Sequence, residues 1–269
     1  MSVRMAFLSL CAPSVLRFVC RCSIFLGYAR VIMDPSEHIS PQIVDGWARA
    51  LAPVRRYHQH RVEGMEHMPK DGPALLVIHH SLATYDGFLF AMAAYEEIGR
   101  LPTALGDDLI FKVPMLGNLA RQSGIYPASP KAGYALLKAG RMLFVSPGGM
   151  WESLRPSEEA RSVRWEGRQG FCRLALRAQV PLIFIACPAA DDIFTVRKSR
   201  ITDAVYKHFK VPLPFAKGRR GTPVPKPIAL THYVAPPLVP PTHDPANEEA
   251  QIDALHAEAC AVMQGLLSR

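Results

Sequence analysis

The 269-residue chain is 49% apolar and 20% charged, proportions that suit one folded core and exclude disorder or low complexity for most of its length. Its formal charge of +8 asks for an anionic partner, but no helix-turn-helix, zinc-finger or aromatic RNA-reading pattern points to nucleic acid. The six cysteines form no C-x-x-C pair, so neither a disulfide scaffold nor a cysteine-based zinc site is indicated, and a reducing, intracellular compartment fits them.

Residues 1–39 form a basic apolar N-terminal segment. Arg4, Arg17, Arg21 and Arg30 stand there without an acid before Asp34, and the longest uncharged stretch, residues 5–16, is too short to span a bilayer. An interfacial helix, a cleaved targeting segment and an upstream extension before a start at Met33 all fit; Arg17 and Arg21 on one helical face lean towards the first. Residues 40–56 read as an amphipathic helix, with Ser40-Pro41 at its start and Ile43, Trp47, Leu51 and Val54 at helical spacing.

From Tyr57 the pattern changes. Val62 leads into Gly64 and Pro69, Asp71-Gly72 marks a turn, and residues 73–79 are a continuous apolar run expected of a strand buried on both faces. A helix follows Asp86, carrying Phe88, Leu89, Met92 and Tyr95; another begins at Ser129-Pro130 and leads into a strand over residues 142–145. A third, through Phe171, Leu174, Ala175 and Ala178, precedes a strand over residues 182–185. A late strand over residues 228–234 and a closing helix with Ile252, Leu255, Ala259 and Met263 on one face complete the chain. Such alternation predicts an α/β layered domain around a largely parallel sheet. Residues 197–226 mix basic and apolar side chains with Asp203 as the sole acid, which suits an anionic bilayer, the phosphates of coenzyme A, or a solvated basic loop.

Two strand ends carry candidate chemistry, since ligands in such sheets bind beyond the carboxyl ends of the strands. The first is His79-His80-Ser81-Leu82-Ala83-Thr84-Tyr85-Asp86. A neutral imidazole there can take the proton of an attacking alcohol, and a carboxylate can fix its tautomer. The same residues also suit a loop and a helix cap. The second is Ser146-Pro147-Gly148-Gly149-Met150-Trp151-Glu152, whose paired glycines would let amides approach an oxyanion or phosphate. A plain turn with an exposed Glu152 is the alternative.

In this order the pieces resemble the lysophospholipid and glycerolipid acyltransferase superfamily over residues 62–237. Val62-Glu63-Gly64-Met65-Glu66-His67-Met68-Pro69 is similar to its lead-in, and His80 with Asp86 to its histidine–aspartate motif. Phe111-Lys112-Val113-Pro114-Met115-Leu116-Gly117 with Gly124-Ile125-Tyr126 resembles its second block, Pro147-Gly148-Gly149 its third, and Val180-Pro181-Leu182-Ile183 its fourth. Arg168-Gln169-Gly170-Phe171 is similar to a stretch of the diacylglycerol acyltransferase-like branch.

The resemblance implies a single acyltransferase domain over residues 57–269, peripheral to the cytoplasmic side of a membrane, with no metal or bound cofactor. It implies acyl-coenzyme A or an acyl carrier protein as donor and a glycerolipid hydroxyl as acceptor. His80 would be the base, Asp86 its orienting carboxylate, and Gly148, Gly149 and Glu152 the oxyanion and substrate contacts. No G-x-S-x-G elbow occurs, so an acyl-serine route is not indicated. Five residues separate His80 from Asp86 where the superfamily usually has four, and an arginine commonly found after the Ile125-Tyr126 position is absent. Both departures favour a neutral acceptor such as mono- or diacylglycerol over lysophosphatidate or glycerol phosphate. A thioester hydrolase and a catalytically silent lipid-binding relative are the rival readings.

Overall fold

A computed structural model of the chain describes residues 39–106, 108–197 and 216–269. The N-terminal segment, Ile39 excepted, and most of the basic run at residues 197–226 lie outside them. The first half comprises α1 (Pro41–Tyr57), β1 (Arg61–Glu63), β2 (Ala74–Ile78), α2 (Tyr85–Ile98), β3 (Thr103–Gly106), α3 (Asp108–Lys112), α4 (Pro114–Gln122) and β4 (Ile125–Pro127). Then come α5 (Pro130–Lys138), β5 (Met142–Val145), α6 (Gly149–Ser153), α7 (Gly170–Ala178) and β6 (Leu182–Ala186). The last elements are β7 (Thr195–Val196), β8 (Ala216–Lys217), β9 (Thr231–Val234) and α8 (Glu248–Leu267).

Seven strands make one sheet in the order β1-β9-β6-β2-β5-β3-β4, and β7 with β8 makes a separate ribbon. β6, β2, β5, β3 and β4 run parallel, as the sequence predicts. β9 returns antiparallel to β6 and carries β1 parallel to itself.

β2 is central because every one of its side chains is apolar and needs cover. Leu75 and Val77 join the core under α5, α7 and α8, while Ala74, Leu76 and Ile78 join the one under α2. Each large aliphatic side chain buried this way contributes on the order of 1.5–3 kcal/mol. Ser40 and Ser129 cap α1 and α5 by accepting from the amides of Ile43 and Ala132 at 3.4 and 3.0 Å. Ile252, Leu255, Ala259 and Met263 of α8 are all buried, so the expected apolar face is the packed one. At Gly64, with φ 87°, a Cβ would sit 2.3 Å from the Val234 carbonyl oxygen, so only glycine lets β1 turn this close to β9.

The register places the chemistry. Val77 pairs with Val145 and Phe184, which brings the carboxyl ends of β2, β5 and β6 side by side at the middle of the sheet. Because β9 runs the other way, its beginning meets that same edge: Tyr233 pairs with Ala186.

Candidate active site

His79 and His80 leave the end of β2 and take different partners. His79 is fully enclosed, with Nδ1 3.2 Å from Glu152 Oε1 as an ion pair rather than an aligned hydrogen bond, and Nε2 3.3 Å from Asp191 Oδ2. Arg155 closes the cluster by donating to Asp191 Oδ1 at 2.9 Å and Glu152 Oε1 at 3.2 Å. Burial works against a charged His79, but the bonds to Asp191 and Glu152 outweigh it and raise its pKa. Arg155 Nη1 also lies 2.8 Å from His79 Nε2, so the guanidinium and the imidazole share two carboxylates in the interior, where buried charges must be paired.

His80 keeps slight exposure, 7%. Its Nδ1–H donates to the Ser81 main-chain oxygen at 2.9 Å. A carbonyl only accepts, so this bond fixes the Nδ1–H tautomer and leaves the Nε2 lone pair for a proton. The Thr84 hydroxyl lies 3.3 Å from Nε2. Burial lowers the His80 pKa and the Ser81 carbonyl only partly offsets it, so the ring favours the neutral form that a base requires.

Asp86 sits in the first turn of α2 and is buried. Its Oδ1 accepts from the Ser81 hydroxyl and its Oδ2 faces His232 Nε2 at 3.2 Å. Burial pushes its pKa up, but the bonds from His232 and Ser81 prevail and hold it below the usual carboxylate range. No hydrogen bond joins His80 to Asp86 directly, which corrects the direct pairing expected from the sequence. The intervening residues fold as a turn that seats Ser81 between them: its hydroxyl binds Asp86 and its carbonyl holds His80. Ser81 and His232 are the site residues that sequence reasoning missed. Ser81 lies inside the motif, whereas His232 stands 146 residues beyond Asp86, and only the antiparallel return of β9 signals it.

The glycine expectation is also corrected. The Gly148 amide donates to Glu152 Oε2 at 3.2 Å and the Gly149 amide to the Ser146 carbonyl at 2.9 Å, so neither is open to an oxyanion in this structure. The anion that the glycines admit is the chain's own. A Cβ on Gly148 would lie 2.4 Å from that of Glu152, so glycine lets the carboxylate fold back on the loop. Glu152 is fully enclosed and not exposed, and it braces the loop through Gly148 and Arg155.

Asp86, Cys187 and His232 offer ligand atoms within 4.8 Å of one another. They suit a cation poorly. Burial raises the Cys187 thiol well above its ordinary range, which opposes the thiolate a metal would bind, and both Asp86 oxygens already accept bonds.

Residues 59–187, which span both strand ends, match the Acyltransferase family. A human protein described as "DGAT1/2-independent enzyme synthesizing storage lipids" is 29% identical over 213 residues, covering 79% of this chain and 62% of its own length. The cattle protein of the same description is also 29% identical over 213 residues, covering 79% of this chain and 60% of its own. The chain thus spans about three-fifths of the length of these relatives. In fold it is similar to the crystal structure of the 1-acyl-sn-glycerophosphate (LPA) acyltransferase PlsC from Thermotoga maritima, with a TM-score of 0.55 and 14% identity, covering 84% of this chain and 80% of that one. Over the stretch that carries the histidine–aspartate strand end and most of the parallel sheet, the chain is thus similar to members of the Acyltransferase family, and its fold is that of the PlsC structure.

Proposed function

We propose that the chain transfers a fatty acyl group from a thioester, acyl-coenzyme A or acyl carrier protein, to a glycerolipid hydroxyl, with a neutral acceptor preferred. The carrying observation is the tautomer of His80, whose Nε2 lone pair stands at the carboxyl edge of the sheet. In the proposed step the acceptor O–H proton moves to Nε2 while its oxygen attacks the thioester carbonyl. The C–S bond then breaks, and the leaving thiolate takes the proton from the imidazolium. Asp86, ionised and anchored, steadies His80 through Ser81.

The neutral preference rests on where the arginines are spent. Arg155 is buried in the His79 cluster, Arg164 lies over the Trp151 ring at 4.8 Å beside Glu159, and Arg121 lies over the Phe111 ring at 5.3 Å. A phosphate monoester would ask for one of them. The name of the human relative, an enzyme synthesising storage lipids, points the same way.

A peripheral place on a membrane goes with the reading. Among the described residues no helix is long and apolar enough to cross one. Val113, Met115, Leu116 and Leu119, at the start of α4 and along it, are exposed, which suits contact with lipid. The test is competition between diacylglycerol and lysophosphatidate at equal surface concentration, using labelled acyl-coenzyme A and separating products by class. Diacylglycerol should win; a preference for lysophosphatidate removes the acceptor assignment, and thioester loss unaffected by either lipid makes the protein a hydrolase.

A further inference from the structure

From Asp86 a line of buried and half-buried polar contacts continues across the sheet edge. His232, fully buried on β9, places Nε2 3.2 Å from Asp86 Oδ2. Its Nδ1 lies 2.9 Å from Nε2 of His60, the residue just before β1. His60 Nδ1 in turn lies 3.2 Å from Nε of Arg55, near the end of α1, and Arg55 is ion-paired with Glu96 on α2. The parallel pairing of β1 with β9 sets Val62 opposite His232, which is why residues so far apart in sequence meet in one line.

The polarity of this line follows from donor chemistry alone. A guanidinium only donates, so His60 Nδ1 must accept from Arg55. Burial, helped by His232 and Arg55, drives the His60 pKa down to about 3, so the ring is neutral and carries its one proton on Nε2. That proton goes to His232 Nδ1. The proton of His232 is then on Nε2 and goes to Asp86. Each bond dictates the next.

We propose that His232 and His60 are positioning residues for the reaction: with Arg55 they form a hydrogen-bonded chain of fixed direction that locks Asp86 from behind. The proposal rests on the acyl-transfer reading for its effect on rate, but the chain itself can be tested without any activity. Asp86 receives two donated protons, from His232 and from Ser81, so it has one orientation and stays ionised. Ser81 is thereby fixed, and its carbonyl is fixed against His80 Nδ1. The arrangement parallels the way a metal-bound histidine is oriented by its outer partner, where loss of that partner typically costs about 10–100-fold in activity.

Histidine-selective nitrogen NMR of the full chain reads the proton positions. His60 and His232 should both carry hydrogen on Nε2 and none on Nδ1; a proton on Nδ1 of either overturns the proposal, whatever the enzyme's activity. Transfer assays supply the second arm. His232→Leu and His60→Leu should each lower kcat about 10–100-fold at little change in KM. His232→Gln and His60→Gln should recover most of that loss, because a glutamine amide can donate from the Nε2 position. Wild-type rates in the leucine variants, or glutamine variants as poor as the leucine ones, would show that the rings only fill space. If a leucine variant does not fold, the proton positions in the wild type still decide. Should the wild type transfer no acyl group to any lipid, the functional reading fails while the chain stands or falls on the NMR alone.

Discussion

His79 and His80 are adjacent on the chain, yet the protein treats them as opposites. His79 is sealed among Glu152, Arg155 and Asp191, and the two carboxylates raise its affinity for a proton, whereas burial lowers that of His80, whose Nδ1–H bond to Ser81 leaves the Nε2 lone pair for a proton. The first environment holds charge in place and can do no proton transfer without breaking ion pairs. The second keeps a neutral ring in one tautomer, the state a general base needs. Adjacent histidines at a strand end thus divide into a brace and a reactive group, and the partners of each ring make the division.

Removing one member of the brace should have the largest effect on stability. Glu152→Ala leaves Arg155, His79 and the Gly148 amide short of an acceptor in the interior. Breaking such a buried pair costs about 3–5 kcal/mol, which urea denaturation would read directly. Unchanged stability would mean that the cluster braces nothing and that the contrast between the histidines is wrong.

A change on the reactive side should spare the fold more and the rate less. Asp86→Asn turns an amide towards one of two donors, Ser81 or His232, and loosens Ser81. Because Asp86 acts on His80 through Ser81, kcat should fall about 10–100-fold. A direct histidine–aspartate pair would lose roughly 10⁴-fold. A loss of that larger size would mean that the two side chains meet directly during turnover.

Much of this was legible in the sequence, for identifiable reasons. β2, β5 and β6 are continuous apolar runs that only a buried parallel sheet can accommodate, and the serine–proline pairs mark the starts of α1 and α5. β3 and β4 escaped because Thr-Ala-Leu-Gly and Ile-Tyr-Pro are too short to show a period. His80 and Asp86 stood out by chemistry and spacing. Ser81 did not, since its role divides between its hydroxyl and its carbonyl, and His232 and His60 did not, since their meeting depends on strand pairing across the sheet edge. The paired glycines suggested an anion from outside the chain, whereas here the Gly148 amide meets Glu152 of the same loop and the Gly149 amide meets the Ser146 carbonyl.

The role of His80 as the base is tested most directly by the pH dependence of kcat/KM for acyl transfer, measured on the wild type beside His80→Ala. Burial lowers the His80 pKa from its ordinary 6.5, so the ring stays neutral as the pH falls through 6.5 and gains its proton only below that. The rate should therefore hold through pH 6.5 and decline at lower pH, and His80→Ala should lose on the order of 10³-fold or more together with that acid limb. An acid limb centred above pH 6.5, or the same limb persisting in His80→Ala, would contradict the assignment.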